Sequence, residues 1–156
     1  MGETQKEKAA VFDIDGTLLN IQKRLEISER ESNGNKKLFW QIFLSEKYLD
    51  LDTPNERVIK FLQEKWQEDI KVIIVTGRTR NMERYTYYQL STFNIPWNEA
   101  YFRSKGDFRK DYEYKSEIMK KLMQKYEILF IIDDSEEVRK AIEQMGIKAI
   151  DPALIS

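Results

Sequence analysis

Three short apolar runs in this chain each end in a cluster of oxygen-bearing side chains. Ala9-Ala10-Val11-Phe12 leads into Asp13-Ile14-Asp15-Gly16-Thr17, Val72-Ile73-Ile74-Val75 into Thr76-Gly77-Arg78, and Ile128-Leu129-Phe130-Ile131-Ile132 into Asp133-Asp134-Ser135. Lys115 opens the amphipathic stretch before the third run. Carboxylates gathered at the ends of buried segments are costly unless an opposite charge compensates them, and a divalent cation does so. Phosphoryl transfer is the chemistry that needs this set. Asp13 is the candidate nucleophile, attacking phosphorus in line to give an acyl phosphate. Asp15, two residues on, is the candidate acid and base, protonating the leaving oxygen and then activating water. Gly16 allows the backbone close to the phosphate. The Thr76 hydroxyl and nearby amides hold phosphoryl oxygens, and Lys115 neutralises developing charge. Magnesium suits such oxygen ligands. Asp13, Asp134 with Asp133 beside it, and Asp15 through its carbonyl are the expected ligands. A lone Asp-x-Asp is a weak signal; three clusters in this order, each after an apolar run, are a specific one.

Composition removes the competing chemistries. The 156 residues include no cysteine and no histidine. That excludes a disulfide framework, a thiolate zinc site and a cysteine nucleophile. It equally excludes a Ser-His-Asp triad, a phosphohistidine and an imidazole metal ligand. The net charge of −1 gives no global basic field for nucleic acid, although a local patch is compatible with it. No apolar stretch approaches the ~20 residues of a membrane span, and the polar segment Met1 to Lys8 has no signal-peptide character. A cytoplasmic protein, monomeric or weakly dimeric, is expected.

The elements that must carry these residues follow from the pattern. The three apolar runs are continuous and rich in β-branched residues, as buried parallel strands are. Ala100-Tyr101-Phe102 and Lys148-Ala149-Ile150 are weaker strand candidates. Helical periodicity lies between them: a helix with Pro54 in its first turn and a Val58, Ile59, Leu62, Trp66 stripe, then Thr79 to Phe93, Tyr114 to Tyr126, and Ser135 to Met145 with Gly146 as a stop. Strands alternating with helices imply a doubly wound, mostly parallel α/β sheet, in which ligands bind at the carboxyl ends of the strands. Residues 1–8 are expected to be a disordered tail and 9–156 one domain. Residues 25–52, with a turn at Asn33-Gly34-Asn35, are expected to be a small cap inserted after the first strand.

These motifs resemble a known family. Asp13-Ile14-Asp15-Gly16-Thr17-Leu18, Thr76, Lys115 and Asp133-Asp134 look, in order, like the four motifs of the haloacid dehalogenase (HAD) superfamily, which implies a Rossmann-like HAD fold and Mg2+. In that superfamily the position of Asp15 separates phosphatases and phosphomutases from dehalogenases and P-type ATPases. Val75-Thr76-Gly77-Arg78, Arg84, the stretch Arg103 to Asp111, and Lys115 look more narrowly like the phosphatase domain of bacteriophage polynucleotide kinase-phosphatase. Arg24, eleven residues after Asp13, falls where that family carries a functional arginine. The resemblance implies that Arg78 binds or orients phosphate and that Asp111 orients Lys115 one helical turn away. Gly16, Thr17, Arg24, Gly77, Arg78 and Arg109 make up the substrate-binding set that goes with it. The family's arginine after the paired aspartates is here Ser135, and no P-loop for a kinase half is present.

The expected activity is Mg2+-dependent hydrolysis of a phosphomonoester, the 3′-phosphate of a nucleic-acid end or nucleotide, with a role in nucleic-acid repair. A metabolite phosphatase, a phosphomutase and a catalytically silent phosphate- or partner-binding module are the alternatives. Arg24, Arg103, Lys105, Arg109 and Lys110 are candidates for a polynucleotide path, or for a solvated face offset by Asp107, Asp111 and Glu113. Phe39, Trp40 and Phe43, at helical spacing, are read as core ahead of base-stacking.

Overall fold

Continuous apolar strands have no face to offer water, so both faces of the sheet they form must be covered. The computed structural model describes residues 5–156. In chain order it contains β1 (Glu7–Phe12), β2 (Leu19–Asn20), α1 (Gln22–Ser32), α2 (Lys36–Phe43), β3 (Thr53–Pro54), α3 (Glu56–Gln67) and β4 (Lys71–Thr79). There follow α4 (Glu83–Thr92), β5 (Glu99–Arg103), α5 (Asp111–Lys125), β6 (Tyr126–Ile132), α6 (Glu136–Glu143) and β7 (Ala149–Ile150). Five parallel strands lie in the order β5-β4-β1-β6-β7. The chain therefore winds away from β1 in both directions, and the switch point is β1 itself.

Alternation along β1 divides the core. Ala10 and Phe12 pack with Val58, Ile59 and Leu62 of α3 and Leu90 of α4. Ala9 and Val11 pack on the other face with Met119 and Leu122 of α5 and Val138 and Ile142 of α6. Full burial of each of these side chains larger than alanine stabilises by about 1.5–3 kcal/mol. The fold is the doubly wound α/β sheet that the sequence pattern implies.

Five boundaries differ from the sequence expectation. Of the tail expected over residues 1–8, residues 1–4 lie outside the described ones, whereas Glu7 and Lys8 belong to β1 and pair with Tyr126 and Glu127. Thr76, Gly77 and Arg78 do not follow their strand but lie within β4. Pro54 is not in a helical first turn. It ends the two-residue strand β3, which pairs antiparallel with β2 as Leu19 with Pro54 and Asn20 with Thr53. A residue without an N–H is tolerated at such an edge, and α3 starts only at Glu56. This ribbon brings together the two ends of residues 21–52, where α1 and α2 are joined through Asn33 and Gly34 in left-handed conformations (φ 48° and 85°). The fourth and fifth differences are helix starts: α4 begins at Glu83 rather than Thr79, which ends β4, and α5 at Asp111 rather than Tyr114.

Ser135 ties α6 to the end of β6. Its Oγ accepts from the Val138 N–H at 3.3 Å, and its own N–H donates to Asp133 Oδ1 at 2.9 Å. Ser135→Ala is expected to lower stability by about 1 kcal/mol, the usual value of an N-cap side chain. Chemical denaturation measures this; an unchanged midpoint would show that the cap contributes nothing.

Candidate active site

Register carries the carboxylates together. The Asp13 N–H donates to the Ile132 carbonyl at 3.0 Å, continuing the β1–β6 pairing past Phe12 and placing Asp13 beside Asp133. Asp13 and Asp133 are buried, and Asp134 is the most open of the three. One oxygen from each lies within 4.8 Å of the others. Lys115 enters from α5 with its ammonium buried, 3.0 Å from Asp13 Oδ1, 2.6 Å from Asp133 Oδ2 and 3.3 Å from Asp111 Oδ2. Burial and the Asp133 charge push the Asp13 carboxyl well above its ordinary range, and Lys115 only partly offsets them. Loss of solvent and Asp133 push Asp134 up as well. Burial works against the Lys115 ammonium too, but Asp13, Asp133 and Asp111 hold it charged. A single lysine thus faces an excess of negative charge, set in hard oxygen donors only. That donor set fits Mg2+. Asp13, Asp133 and Asp134 would hold the ion.

Space and hydroxyls are fitted to this group. A Cβ at Gly16 would stand 2.1 Å from Asp134 Oδ2, and its φ of +79° is one that side chains disfavour, so glycine is required there for two reasons. At Gly77 a Cβ would stand 2.8 Å from Asp111 Oδ1. The buried Thr17 hydroxyl makes a long 3.4 Å contact to Asp13 Oδ2. The Thr76 oxygen accepts from the Arg78 N–H at 3.0 Å, leaving its own proton to donate.

Asp15 is held separately. Its Oδ1 accepts from Arg24 Nη2 at 2.7 Å and from Arg78 Nη2 and Nε at 2.8 and 3.1 Å. Both guanidiniums also bind Asp52, Arg24 Nε to Oδ1 at 3.0 Å and Arg78 Nη2 to Oδ2 at 2.9 Å. Arg24 Nη1 donates to the Phe43 carbonyl, and Arg78 Nη1 to Thr86 Oγ1 and Gln89 Oε1. Burial raises the Asp15 carboxyl, but Arg78 and Arg24 outweigh it and bring it down to about 2. Burial pushes Asp52 up against the pull of the same two arginines.

This arrangement departs from one reading of the sequence. Arg24 and Arg78 are fully buried and directed at carboxylates, so they position Asp15 instead of touching phosphate. The Asp15 carboxylate is not among the grouped metal-ligating oxygens; only its carbonyl is left for that role. Its Oδ2 has no hydrogen-bond partner among the described residues, while the side chain lines the cleft.

The cleft above these groups has a volume of about 1150 Å3. Asp13, Asp15, Asp134 and Lys115 line it together with Gly77, Asp111, Arg109 and residues of α2. Arg109 is exposed there, with its guanidinium on Asp107 and Glu117. Trp40, read as core, is instead 53% exposed and lines the cleft, while Phe43 is buried. The other hollow, about 720 Å3 between Gln63, Trp66, Asn94 and Trp97, has no charged lining residue and no means of catalysis.

Comparison with known proteins agrees with this geometry. The family model of the polynucleotide kinase PNKP phosphatase domain matches residues 7–153. The chain belongs to this phosphatase family. It is accordingly a HAD-superfamily phosphatase domain, a phosphoric monoester hydrolase. Among solved structures it is similar to a chain of the Pnkp1/Rnl/Hen1 complex, at 24% identity and TM-score 0.74, with 96% of this chain and 47% of that one covered. The match therefore spans about half of that protein. The class C acid phosphatase from Bacillus anthracis is similar at 18% identity and TM-score 0.65, covering 95% and 66% of the two chains. A HAD-superfamily hydrolase from Ehrlichia chaffeensis is similar at 12% identity and TM-score 0.64, covering 96% and 89%. These likenesses show the HAD fold. No curated protein matches the chain. Among the described residues, no helix is long and apolar enough to cross a membrane.

Family motifs leave some of the site unannounced. Asp52, Thr86 and Gln89 are buried around Arg24 and Arg78, and none has a motif position. The available signal was Thr86 and Gln89 on the inward side of an otherwise amphipathic helix, where polar residues need a partner. Where the family has arginine after the paired aspartates, Arg139 reaches back from α6 and donates to the Asp133 carbonyl at 3.0 Å. Removing Asp52 leaves two buried guanidiniums short of charge, so Asp52→Ala is expected to cost roughly 3–5 kcal/mol. Denaturant unfolding tests it, and a loss below about 1 kcal/mol would show the cluster to be solvated.

Proposed function

We propose that this phosphatase is Mg2+-dependent, works through an aspartyl-phosphate on Asp13, and removes 3′-phosphate from nucleic-acid ends or nucleotides. The observation that carries the reading is Asp13 itself, a carboxylate in the floor of an open cleft, between a buried lysine and two further aspartates. In the first step an Asp13 oxygen bonds to phosphorus as the bond to the leaving oxygen breaks, and Asp15 gives that oxygen a proton. In the second step water attacks the acyl phosphate, Asp15 takes the water's proton, and phosphate leaves from a restored Asp13. Bound Mg2+ supplies countercharge to the aspartates and polarises phosphoryl oxygens.

This chain's residues divide the remaining work. Lys115 holds Asp13 in place and offsets part of the effect of burial on its carboxyl, and Asp111 holds Lys115 from the solvent side. Gly77 lines the cleft, and the Thr76 hydroxyl behind it has a proton to donate, the role that the family resemblance gives it toward the phosphoryl group. Asp15 rests as the carboxylate, the form that takes a proton from water. To act first as an acid it must gain a proton, and the approach of a phosphate dianion favours that. Its free Oδ2 is the oxygen available for the transfer. A polynucleotide end is favoured because residues 21–52 contribute only two short helices over a wide cleft, which leaves room for an extended substrate. The similarity to a chain of a complex described as performing RNA repair supports the same substrate class.

Phosphate release with and without magnesium, from a 3′-phosphorylated oligonucleotide, its 5′-phosphorylated twin, a 3′-mononucleotide and a sugar phosphate, tests the reading. Magnesium-dependent release confined to the 3′-phosphates is expected; release mainly from the sugar phosphate would make this a metabolite phosphatase. Asp13→Asn is nearly isosteric and is expected to abolish turnover with the fold intact. Substantial residual turnover in that variant would remove Asp13 as nucleophile.

A further inference from the structure

The two most exposed aromatic side chains near the site both line the catalytic cleft. Phe108 is 91% exposed and Trp40 53%. They come from separate parts of the chain, Trp40 from α2 and Phe108 from the loop between β5 and α5. We propose that Trp40 and Phe108 are a base-stacking pair that receives the nucleobase of the nucleotide whose phosphate reaches Asp13. The inference rests on the phosphatase reading given above and adds its specificity determinants.

Trp40 is held in place from below. Its ring stands edge-on to Phe39 at 5.1 Å and to Phe43 at 5.9 Å, and the Arg24 guanidinium lies 4.4 Å from the Phe43 ring. The exposed indole is thus propped on the same arginine that holds Asp15. An aromatic ring fixed in this way loses little freedom when a base stacks on it. Phe108 has no aromatic partner among the described residues, and its ring stands open to the cleft that it lines.

Charge around the cleft selects the class of ligand. Its floor is acidic, but Lys37, Lys105 and Lys110 line it without a carboxylate partner among the described residues, whereas Arg103 and Arg109 are already paired. The Thr79 hydroxyl, buried and unpartnered, also lines it. Aromatic rings interleaved with free cations suit a single-stranded polynucleotide, whose bases stack while its phosphodiesters meet lysine. A sugar phosphate has no group for the rings.

The test compares two 3′-phosphorylated oligonucleotides, one with a terminal base and one abasic at that nucleotide. Trp40→Ala and Phe108→Ala are each expected to lower kcat/KM for the base-bearing substrate by about 5- to 100-fold, as loss of base–aromatic stacking does. The abasic substrate should be unaffected, and Trp40→Phe and Phe108→Tyr should recover most of the loss. Equal losses on both substrates, or none on either, would overturn the pair. Equilibrium binding of the same oligonucleotides to Asp13→Asn separates this inference from the function it rests on. Tighter binding of the base-bearing strand, abolished by Trp40→Ala and by Phe108→Ala, would uphold the pair even if the unmodified protein released no phosphate. Equal affinity for the two strands would overturn it.

Discussion

Everything at this site depends on keeping too many carboxylates in too little water. Asp13, Asp133 and Asp134 converge at the ends of β1 and β6, and Asp15 and Asp52 lie close behind them. Such a group is stable only while its charges are matched. Lys115 serves the first set, and the pair Arg24 and Arg78 serves the second. The two sets differ in what is left over. The arginine-bound pair is balanced, two cations against two anions, and only Asp15 opens from it to the cleft. The lysine-bound set keeps an unmatched negative charge facing the cleft, which is where a divalent cation and a phosphate belong. The unbalanced set holds the Asp13 carboxylate at the cleft, and the balanced one fixes Asp15 beside it.

The sheet makes this arrangement possible with local means. Parallel pairing on both sides of β1 brings Asp13, Thr76 and Asp133 to one edge without any long-range device beyond the register itself. Lys115 arrives one turn into α5, where Asp111 also stands, so a single helix supplies both the cation and its outer partner. The segment with the least regular sequence, residues 21–52, is closed at its base by the β2–β3 ribbon. It contributes Arg24 and Asp52 to the balanced cluster and Trp40 to the rim.

What the sequence made legible follows from the range of the interactions concerned. The long buried strands and Asp13, Asp15, Lys115, Asp133 and Asp134 were readable because each motif is a few contiguous residues after an apolar run. The pairing of Lys115 with Asp111 was readable because it spans one helical turn. Asp52 was not, since its partners lie 28 and 26 residues away and nothing local marks it as charged and buried. The two-residue strands β2 and β3 carry no period of their own, so Pro54 suggested a helix start instead. For Trp40 the spacing was right and the side was wrong: an eight-residue helix turns one flank inward, and Phe43 occupies it.

The ribbon at the base of residues 21–52 gives that segment the form of an exchangeable part, entering and leaving the fold at one point. Arg24 and Asp52 contradict the form. They are carried by the removable part, yet Arg24 acts with Arg78 of β4 to lower the Asp15 carboxyl, and Asp52 holds both arginines. A descendant of this protein could not trade the segment for a larger or differently shaped one and keep its acid strength, unless the replacement brought an equivalent cation and anion at its two ends. The shape of this segment and the charge around Asp15 are inherited together here, and a change in one is a constraint on the other.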